Sequence, residues 1–212
     1  MTRFLLGFAV VWSFLASAAF SIENVVVYPQ NFDATCRNGD AKLYDECGDQ
    51  FAILKEAVEE AKKTGKVVIV SYGAEWCIWC HALDAHLKGQ YGMFNYEVEG
   101  YPPVMAESLG ANDQKLADEL NAFAARNVVF VHIEGLYAPN GAEVLSALGA
   151  DQDYKGSIPY LFSIKDGRIA KIMVWKPEND PKEKRRDGFL LYRGYNREPL
   201  LDELKQLVEA TR

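Results

Sequence analysis

Two cysteines that directly follow an apolar run constrain this chain more than any other feature. Cys77 and Cys80 come after residues 67–70, Val-Val-Ile-Val, and apolar residues recur at helical spacing over residues 82–87. The pattern predicts a buried strand, a tight turn and a helix, with Cys77 at the helix N-terminus. Backbone N–H groups and the helix dipole favour negative charge there. This position therefore lowers the pKa of a cysteine and favours its reactive thiolate.

The spacing of the pair predicts thiol–disulfide chemistry. Cys77, with an exposed sulfur, would attack a disulfide, and Cys80 would resolve the mixed disulfide that forms. A zinc site is the alternative, but it normally needs a second cysteine or histidine pair at matching spacing. The other cysteines are too far apart in sequence, and His81 and His86 do not complete a standard ligand set. We assign no metal ligand and no cofactor.

Two segments carry a resemblance to a known family. Residues 74–80, Ala-Glu-Trp-Cys-x-x-Cys, resemble the active site of the thioredoxin superfamily, and residues 157–160, Ser-Ile-Pro-Tyr, are similar to the segment that holds its cis-proline. The resemblance covers residues 50–211. It implies an α/β, thioredoxin-like fold, a central mixed β-sheet flanked by helices, and a protein thiol–disulfide oxidoreductase. It also implies that six residues shape the site or bind substrate: Trp76, Ile78, Trp79, His81, Ile158 and Pro159.

The chain departs from the thioredoxin pattern at informative positions. Ser71 stands where thioredoxin has a buried acid, and it cannot act as a base for the second thiol at neutral pH. Ile158 replaces a threonine. Strong oxidases of the superfamily commonly have a histidine between the cysteines, whereas Ile78 and Trp79 offer no charge to a thiolate. This favours a reductant or general exchanger over a strong oxidant. The rival interpretation is a secreted binding module in which Cys77–Cys80 is only structural.

Residues 1–18 have the pattern of a signal peptide. Arg3 gives a positive start, residues 4–14 are an apolar core, and residues 16–18, Ala-Ser-Ala, match a cleavage site. An uncleaved anchor is the alternative, because apolar character continues to Phe20. Cleavage predicts a periplasmic or secreted protein. Its expected partners are protein thiols or disulfides, and a membrane redox partner that recycles the pair is a further candidate.

Charge and the remaining cysteines define the N-terminal part. The formal net charge of −7 argues against nucleic-acid binding, which needs a basic face. Residues 19–49 are predicted to form an extension to a thioredoxin-like domain at residues 50–212. Cys36 and Cys47 bracket a polar loop, expected to lie away from the strand-to-helix turn. In an exported protein they are predicted to form a structural disulfide; a redox relay with Cys77–Cys80 is the alternative.

Hydrophobic periodicity predicts the other elements. Helices are expected at residues 51–63, 113–126, 141–148 and 199–210. Strands are expected at residues 67–72, 128–131, 160–164, 169–175 and 189–195, with Asp166-Gly167 as a hairpin turn. Residues 176–188 read as a solvated polar loop. Residues 89–112 are too irregular for one element and form either a lid or an insertion whose aromatic residues pack on the body. His132 is predicted to be a hydrogen-bonded interior residue, and we assign it no role.

Overall fold

The computed structural model describes residues 22–36, 41–90, 94–96, 104–106, 111–174, 183–186, 189–192 and 195–212. The predicted signal peptide, residues 1–18, lies outside these ranges. Within them, no helix combines the length and the apolar character needed to cross a membrane.

The elements follow one another as an α/β chain. In order they are β1 (Val26–Tyr28), α1 (Gln50–Thr64), β2 (Val67–Gly73), α2 (Ile78–Leu87), β3 (Phe94–Tyr96), β4 (Val104–Ala106), α3 (Ala111–Asn127), β5 (Val128–Glu134), α4 (Gly141–Leu148), β6 (Tyr160–Lys165), β7 (Arg168–Ile172), β8 (Glu183–Arg186), β9 (Phe189–Tyr192) and α5 (Arg197–Thr211).

A mixed five-stranded sheet forms the centre of the molecule, with strand order β1-β5-β2-β6-β7. β1, β5 and β2 are parallel, whereas β6 and β7 are antiparallel to their neighbours. Every residue of β2 and β5 is buried. Continuous apolar, β-branched runs suit such strands because both faces of the sheet are covered.

Helices cover both faces of this sheet. Buried residues of α1 and α4 pack on one face, around Val70, Val131 and Phe162. Buried residues of α2, α3 and α5 pack on the other face, around Ile69, Phe130 and Leu161. The predicted mixed sheet flanked by helices is therefore confirmed. The helix predicted at residues 141–148 has the bounds expected, and the other three helices extend beyond theirs by one or two residues at each end.

The buried face of α1 differs from the predicted one. Phe51 was expected to lie inward, but it is 41% exposed, while Ile53 is buried. The helix begins one residue earlier than predicted, because the Asp49 side chain accepts hydrogen bonds from the backbone at the start of α1. Its buried positions are Gln50, Ile53, Ala57 and Ala61. Phe51 lies beside this stripe, facing solvent.

A second sheet, which the sequence did not predict, has strand order β3-β4-β9-β8. β8 (Glu183–Arg186) lies inside the segment predicted as a solvated polar loop, so that prediction is wrong for these four residues. β9 confirms the strand predicted there, although it ends at Tyr192. Residues 89–112 contain β3, β4 and the first two residues of α3. The aromatic side chains of this segment lie outside the described part of the chain, so both readings stay open.

The predicted hairpin is present and brings the segment before it towards the cysteines. Asp166 and Gly167 both have positive φ, 50° and 74°, as a two-residue turn between β6 and β7 requires. β7 ends at Ile172, three residues short of the prediction. Pro159 directly precedes β6 and is buried. The Ile158–Pro159 peptide bond is cis.

Candidate redox site

Cys77 lies at the junction between β2 and α2, as the sequence predicts. It is the N-cap of α2, and its sulfur accepts a hydrogen bond from the backbone N–H of Cys80 at 3.2 Å. Cys77 and Cys80 form a disulfide with a Cα–Cα distance of 5.2 Å. In the reduced protein the same N–H group and the helix dipole would stabilise a thiolate on Cys77.

Both sulfurs of this pair are covered, which corrects the expectation of an exposed Cys77. Cys77 is 2% exposed and Cys80 is fully buried. They share a small apolar cluster with Leu43 and Tyr44, against which Trp79 and Ile158 also pack. The predicted extension therefore does not lie apart from the strand-to-helix turn. Its residues 41–46, here called the cover segment, contribute the apolar side chains that exclude water from the disulfide.

Glu75 holds the cover segment in place. Its carboxylate accepts hydrogen bonds from the backbone N–H groups of Lys42 (3.1 Å), Leu43 (2.9 Å) and Tyr44 (2.7 Å). Successive N–H groups that converge in this way form a concave site for an anion. The carboxylate satisfies three donors at once, and hydrogen bonds to a charged acceptor are stronger than neutral ones. Sequence reasoning quoted Glu75 within the motif but gave it no role.

The other predicted site residues surround the pair with different degrees of exposure. Trp76 is 37% exposed, whereas Ile78, Trp79, His81 and Ile158 are half-buried. The Nε2 atom of His81 lies 2.6 Å from the backbone carbonyl oxygen of Glu75 and 3.4 Å from its carboxylate. His81 therefore braces the turn before Cys77.

Glu134, at the end of β5, also holds the turn before Cys77 in place. Its carboxylate accepts hydrogen bonds from the N–H groups of Glu75 (3.0 Å), Leu136 (2.7 Å) and Tyr137 (3.1 Å). Burial raises the pKa of Glu134, and these three bonds act in the opposite direction. The carboxylate thus joins the loops after β2 and β5 beneath the cysteine pair. No sequence pattern singled out this residue.

Tyr44 and Ser71 form a buried hydroxyl pair beside Cys80. Their oxygen atoms are 2.9 Å apart, and both residues are fully buried. A Cβ atom added to Gly73 would lie 2.6 Å from the Tyr44 hydroxyl and 2.8 Å from the Cys80 sulfur. Glycine is needed here because the tyrosine and the cysteine approach the same point of the backbone. Burial raises the pKa of Tyr44 well above its ordinary value, so its hydroxyl stays neutral.

His132 and Asp84 lie behind this hydroxyl pair. His132 is fully buried, its ring is 4.9 Å from the Tyr44 ring between centroids, and its Nε2 is 3.8 Å from Asp84 Oδ1. The interior position of His132 confirms the prediction. The expected hydrogen bonds are not seen, since neither ring nitrogen has a hydrogen-bond partner among the described residues. Sequence reasoning missed Asp84 altogether.

The charges of these two groups differ. Burial lowers the pKa of His132, so its imidazole is neutral. Burial acts to raise the pKa of Asp84, but His132 and the ammonium group of Lys88 outweigh it, so this pKa is lowered. Lys88 Nζ lies 2.7 Å from Asp84 Oδ2 and is 46% exposed. The neutral His132 is therefore followed, from the interior towards the surface, by the carboxylate of Asp84 and the ammonium group of Lys88.

Cys36 and Cys47 form the second disulfide, with a Cα–Cα distance of 5.9 Å. Cys36 is 3% exposed and Cys47 is exposed. The cover segment lies between them in the chain. Residues 37–40 of the predicted polar loop lie outside the described ranges. In the described part of the chain, no group of three or more His, Cys, Asp or Glu side chains is arranged to hold a metal ion.

Comparisons with known proteins give little sequence similarity. No protein-family model matches the chain, and no curated protein matches it. A solved structure, the crystal structure of a disulphide isomerase from Xylella fastidiosa Temecula1, is similar at 24% identity and a TM-score of 0.41. The match covers 61% of this chain and 76% of that one.

The classification therefore depends on the architecture itself. A mixed sheet lies between two layers of helices. The Cys-x-x-Cys pair begins the helix after the central strand β2, and Ile158, before the proline that precedes β6, packs against that pair. The chain has a thioredoxin-like fold that carries a Cys-x-x-Cys disulfide.

Proposed function

We propose that the protein exchanges thiols and disulfides with other proteins through Cys77 and Cys80. The observation that carries the proposal is the position of Cys77 as the N-cap of α2, with its sulfur accepting the Cys80 N–H. A helix start lowers the pKa of a thiol and so supplies the thiolate that exchange requires. Cys80, one turn into the helix, is within bonding reach of Cys77.

The reaction of the reduced pair balances in two steps. The Cys77 thiolate attacks one sulfur of a substrate disulfide, which forms a mixed disulfide and releases the other sulfur as a thiolate. Cys80 then loses its proton and attacks Cys77, which re-forms the Cys77–Cys80 bond and releases the second substrate sulfur. The substrate gains two electrons and the pair loses two. The reverse sequence oxidises a substrate dithiol.

The direction that we propose for electron flow is based on the residues around the sulfurs. Ile78 and Trp79 contribute no positive charge beside Cys77. A neutral setting stabilises the thiolate less than a neighbouring cation does, which favours a reductant or general exchanger over a strong oxidant. The signal-peptide pattern of residues 1–18 supports export to a periplasm or the extracellular space. A membrane redox partner would then keep the pair reduced.

A binding module with a structural Cys77–Cys80 bond is the second candidate. Burial of both sulfurs, 2% and 0% exposed, favours it, because a covered disulfide resists attack. The reduction potential distinguishes the two. Equilibration with glutathione buffers should give a value above about −300 mV for an exchanger, whereas a structural bond lies below it.

Trapping tests the roles of the two cysteines. In Cys80→Ala, mixed disulfides with protein substrates should accumulate through Cys77, because the resolving thiol is missing. Cys77→Ala is the matched variant and should trap little. A protein that forms mixed disulfides through Cys80 would reverse the assignment, and one that forms none at either position would favour the binding module.

A further inference from the structure

Cys80 must lose a proton in a place that water does not reach. It is fully buried, and the strand position where a thioredoxin carries its buried acid is Ser71. A thiol with an ordinary pKa of about 8.5 is mostly protonated at neutral pH, and burial in apolar surroundings raises that pKa further. If Cys80 resolves mixed disulfides, some other group near it must accept the proton.

Among the described residues, His132 is a buried, neutral base next to the Tyr44 and Ser71 hydroxyl pair. His132 faces the same side of the sheet as Ser71, since the two are paired across β5 and β2. Its Nδ1 and Nε2 have no hydrogen-bond partner among the described residues. Buried polar groups are normally hydrogen-bonded, so an imidazole that is buried without such a bond calls for a role. A neutral imidazole can accept one proton.

Asp84 provides the partner that a charged imidazole would need. It lies 3.8 Å from His132 Nε2, and its Oδ1 atom also has no hydrogen-bond partner in the described ranges. It follows Cys80 by four residues in α2, so the two side chains lie on the same face of the helix. A buried base beside a carboxylate is the arrangement that activates nucleophiles in many enzymes.

Two hydroxyl groups lie near both Cys80 and the ring of this base. The Tyr44 hydroxyl and the Cys80 sulfur both lie within 3 Å of the point where a Cβ of Gly73 would stand. The same hydroxyl contacts Ser71 at 2.9 Å, and the Tyr44 ring packs against His132. A hydroxyl both donates and accepts, so this pair can pass a proton in either direction.

We propose that His132, supported by Asp84 and reached through the hydroxyls of Tyr44 and Ser71, takes up the proton that Cys80 releases when it resolves the mixed disulfide. The inference rests on the proposed exchange function. The Cys80 thiol loses its proton, its sulfur bonds to Cys77, and the bond from Cys77 to the substrate sulfur breaks. The proton moves to the imidazole, and the reverse reaction returns it.

The surroundings suit this transfer. The other titratable or charged groups that act on the network are His81 and Lys88 on α2, Glu75 in the turn before it, and Glu134 on β5. Asp84 is 14% exposed and pairs with the exposed Lys88, so it lies between the buried imidazole and solvent. Tyr44 comes from the cover segment, so this segment would complete the site as well as covering it.

The experiment separates the two chemical steps. All proteins carry Cys36→Ala/Cys47→Ala, so that Cys77 and Cys80 are the remaining thiols, and this background serves as the wild type of the assay. Reduced protein is mixed with 5,5′-dithiobis(2-nitrobenzoate), a small aromatic disulfide whose thiolate product absorbs light. The first burst of absorbance reports attack by Cys77, and the second reports displacement by Cys80. Both phases are followed against pH in the wild type, His132→Gln, Asp84→Asn and Tyr44→Phe. The matched control is His86→Gln. His86 is another buried histidine, and its Nε2 accepts a hydrogen bond from the Tyr195 N–H.

His132→Gln should slow the second phase roughly 100-fold near neutral pH, the scale of general acid–base catalysis, and leave the first phase unchanged. Asp84→Asn and Tyr44→Phe should slow it in the same direction by less. The midpoint of its pH profile should move upwards in all three. At pH values above the pKa of the Cys80 thiol the rates should converge, because the thiol is then ionised before it attacks and needs no base. His86→Gln should retain the wild-type profile.

Three results would overturn the inference. One is an unchanged second phase in both His132→Gln and Asp84→Asn, and another is an equal slowing of both phases, which a general loss of structure would cause. If His132→Gln does not fold, Asp84→Asn and Tyr44→Phe decide the question by the same criteria. The third result is a wild type that shows neither phase, which would overturn the proposed function itself and this inference with it.

Discussion

The two disulfides of this protein have similar Cα–Cα distances and very different surroundings. Cys77–Cys80 begins a helix directly after the central strand, and its first sulfur accepts a backbone N–H. Cys36–Cys47 lies in irregular chain, where the Cys47 N–H donates to Asp45 at 3.0 Å. We therefore expect the two bonds to differ in reactivity, because a helix start stabilises a thiolate and the described surroundings of Cys36–Cys47 provide no such position.

The pair at the helix start is nevertheless the less accessible of the two disulfides. Cys47 is exposed, whereas Cys77 and Cys80 are covered by Leu43 and Tyr44. Access governs how fast a small reductant attacks, while thiolate stabilisation governs the equilibrium potential. We therefore expect the two pairs to be distinguished by potential rather than by the speed of reduction. The two pairs are linked through the cover segment, which lies in the loop closed by Cys36–Cys47 and packs against Cys77 and Cys80.

The largest expected difference between the pairs is in activity. Cys77→Ala should lower disulfide exchange with a protein substrate at least about 1,000-fold, because the nucleophile is lost. The double variant Cys36→Ala/Cys47→Ala should keep exchange within about tenfold of the wild type. The measurement is the rate of substrate disulfide reduction by pre-reduced protein. A comparable loss in both variants would support a redox relay between the pairs.

For stability we expect the opposite ranking, in which loss of Cys36–Cys47 lowers the free energy of unfolding more than loss of Cys77–Cys80. Closing the loop from Cys36 to Cys47, a separation of 11 residues, stabilises by about 3 kcal/mol in the chain-entropy model. The shorter loop from Cys77 to Cys80, a separation of 3, gives about 1.5 kcal/mol. Urea unfolding of Cys36→Ala/Cys47→Ala and of Cys77→Ala/Cys80→Ala measures both values. A larger loss in the second variant would mean that Cys77–Cys80 is the structural bond.

The sequence predicted those parts of the fold that depend on local patterns. The apolar run of β2, the helical spacing after Cys80 and the Asp166-Gly167 turn each follow from short-range rules. The position of Cys77 at a helix start belongs to this class. Phe51 was misplaced although Ala57 and Ala61 of the predicted stripe are buried, because hydrophobic spacing does not show that Gln50 and Ile53 fill the buried positions of the first turn.

Local patterns could not predict contacts between parts of the chain that are distant in sequence. Tyr44 is 27 residues from Ser71, and Glu75 is 59 residues from Glu134. Nothing in the local pattern around Tyr44 marks it as a neighbour of Cys80. Asp84 was overlooked although it follows Cys80 by four residues in the predicted helix, a spacing that places the two side chains on one face. The second sheet was missed for a related reason, because its strands are only three or four residues long and β8, Glu-Lys-Arg-Arg, has no apolar alternation.

We expect low pH to destabilise the region around Cys77–Cys80 in particular, since α2 carries His86 and packs near His132. Burial, followed by the charge of Arg197, lowers the pKa of His86 to about 3, and burial lowers that of His132. Each histidine is neutral when folded but takes up a proton below pH 6.5 once unfolded. Its contribution to stability is therefore present above pH 6.5 and is lost as pH falls towards the folded pKa.

Urea unfolding at several pH values between about 7 and 5 tests this sign. The wild type should lose up to about 1.4 kcal/mol per pH unit for each such histidine. His86→Gln should flatten the decline, so that the gap between this variant and the wild type narrows by about 2 kcal/mol at the acid end. His132→Gln should flatten it in the same direction. Parallel curves for all three proteins would contradict the assignment of neutral, buried imidazoles.

The smallest expected effect concerns the contact that joins the two regions. Glu75→Gln keeps an acceptor oxygen but removes the charge that binds the N–H groups of Lys42, Leu43 and Tyr44. Hydrogen bonds to a charged acceptor contribute about 1 kcal/mol more than neutral ones. The cover segment should therefore open more often. In reduced protein, alkylation of Cys77 by iodoacetamide should become about fivefold faster, the rate equivalent of that free energy.

A matched control separates this effect from a general loss of charge. Glu23→Gln removes a carboxylate that pairs with Arg126, in a part of the molecule that does not contact the cysteines. Its alkylation rate should equal that of the wild type. In Cys36→Ala/Cys47→Ala, where the segment is no longer closed into a loop, Glu75→Gln should have a larger effect than in the wild type, because one restraint remains instead of two. Equal effects in both backgrounds would mean that Cys36–Cys47 plays no part in covering Cys77.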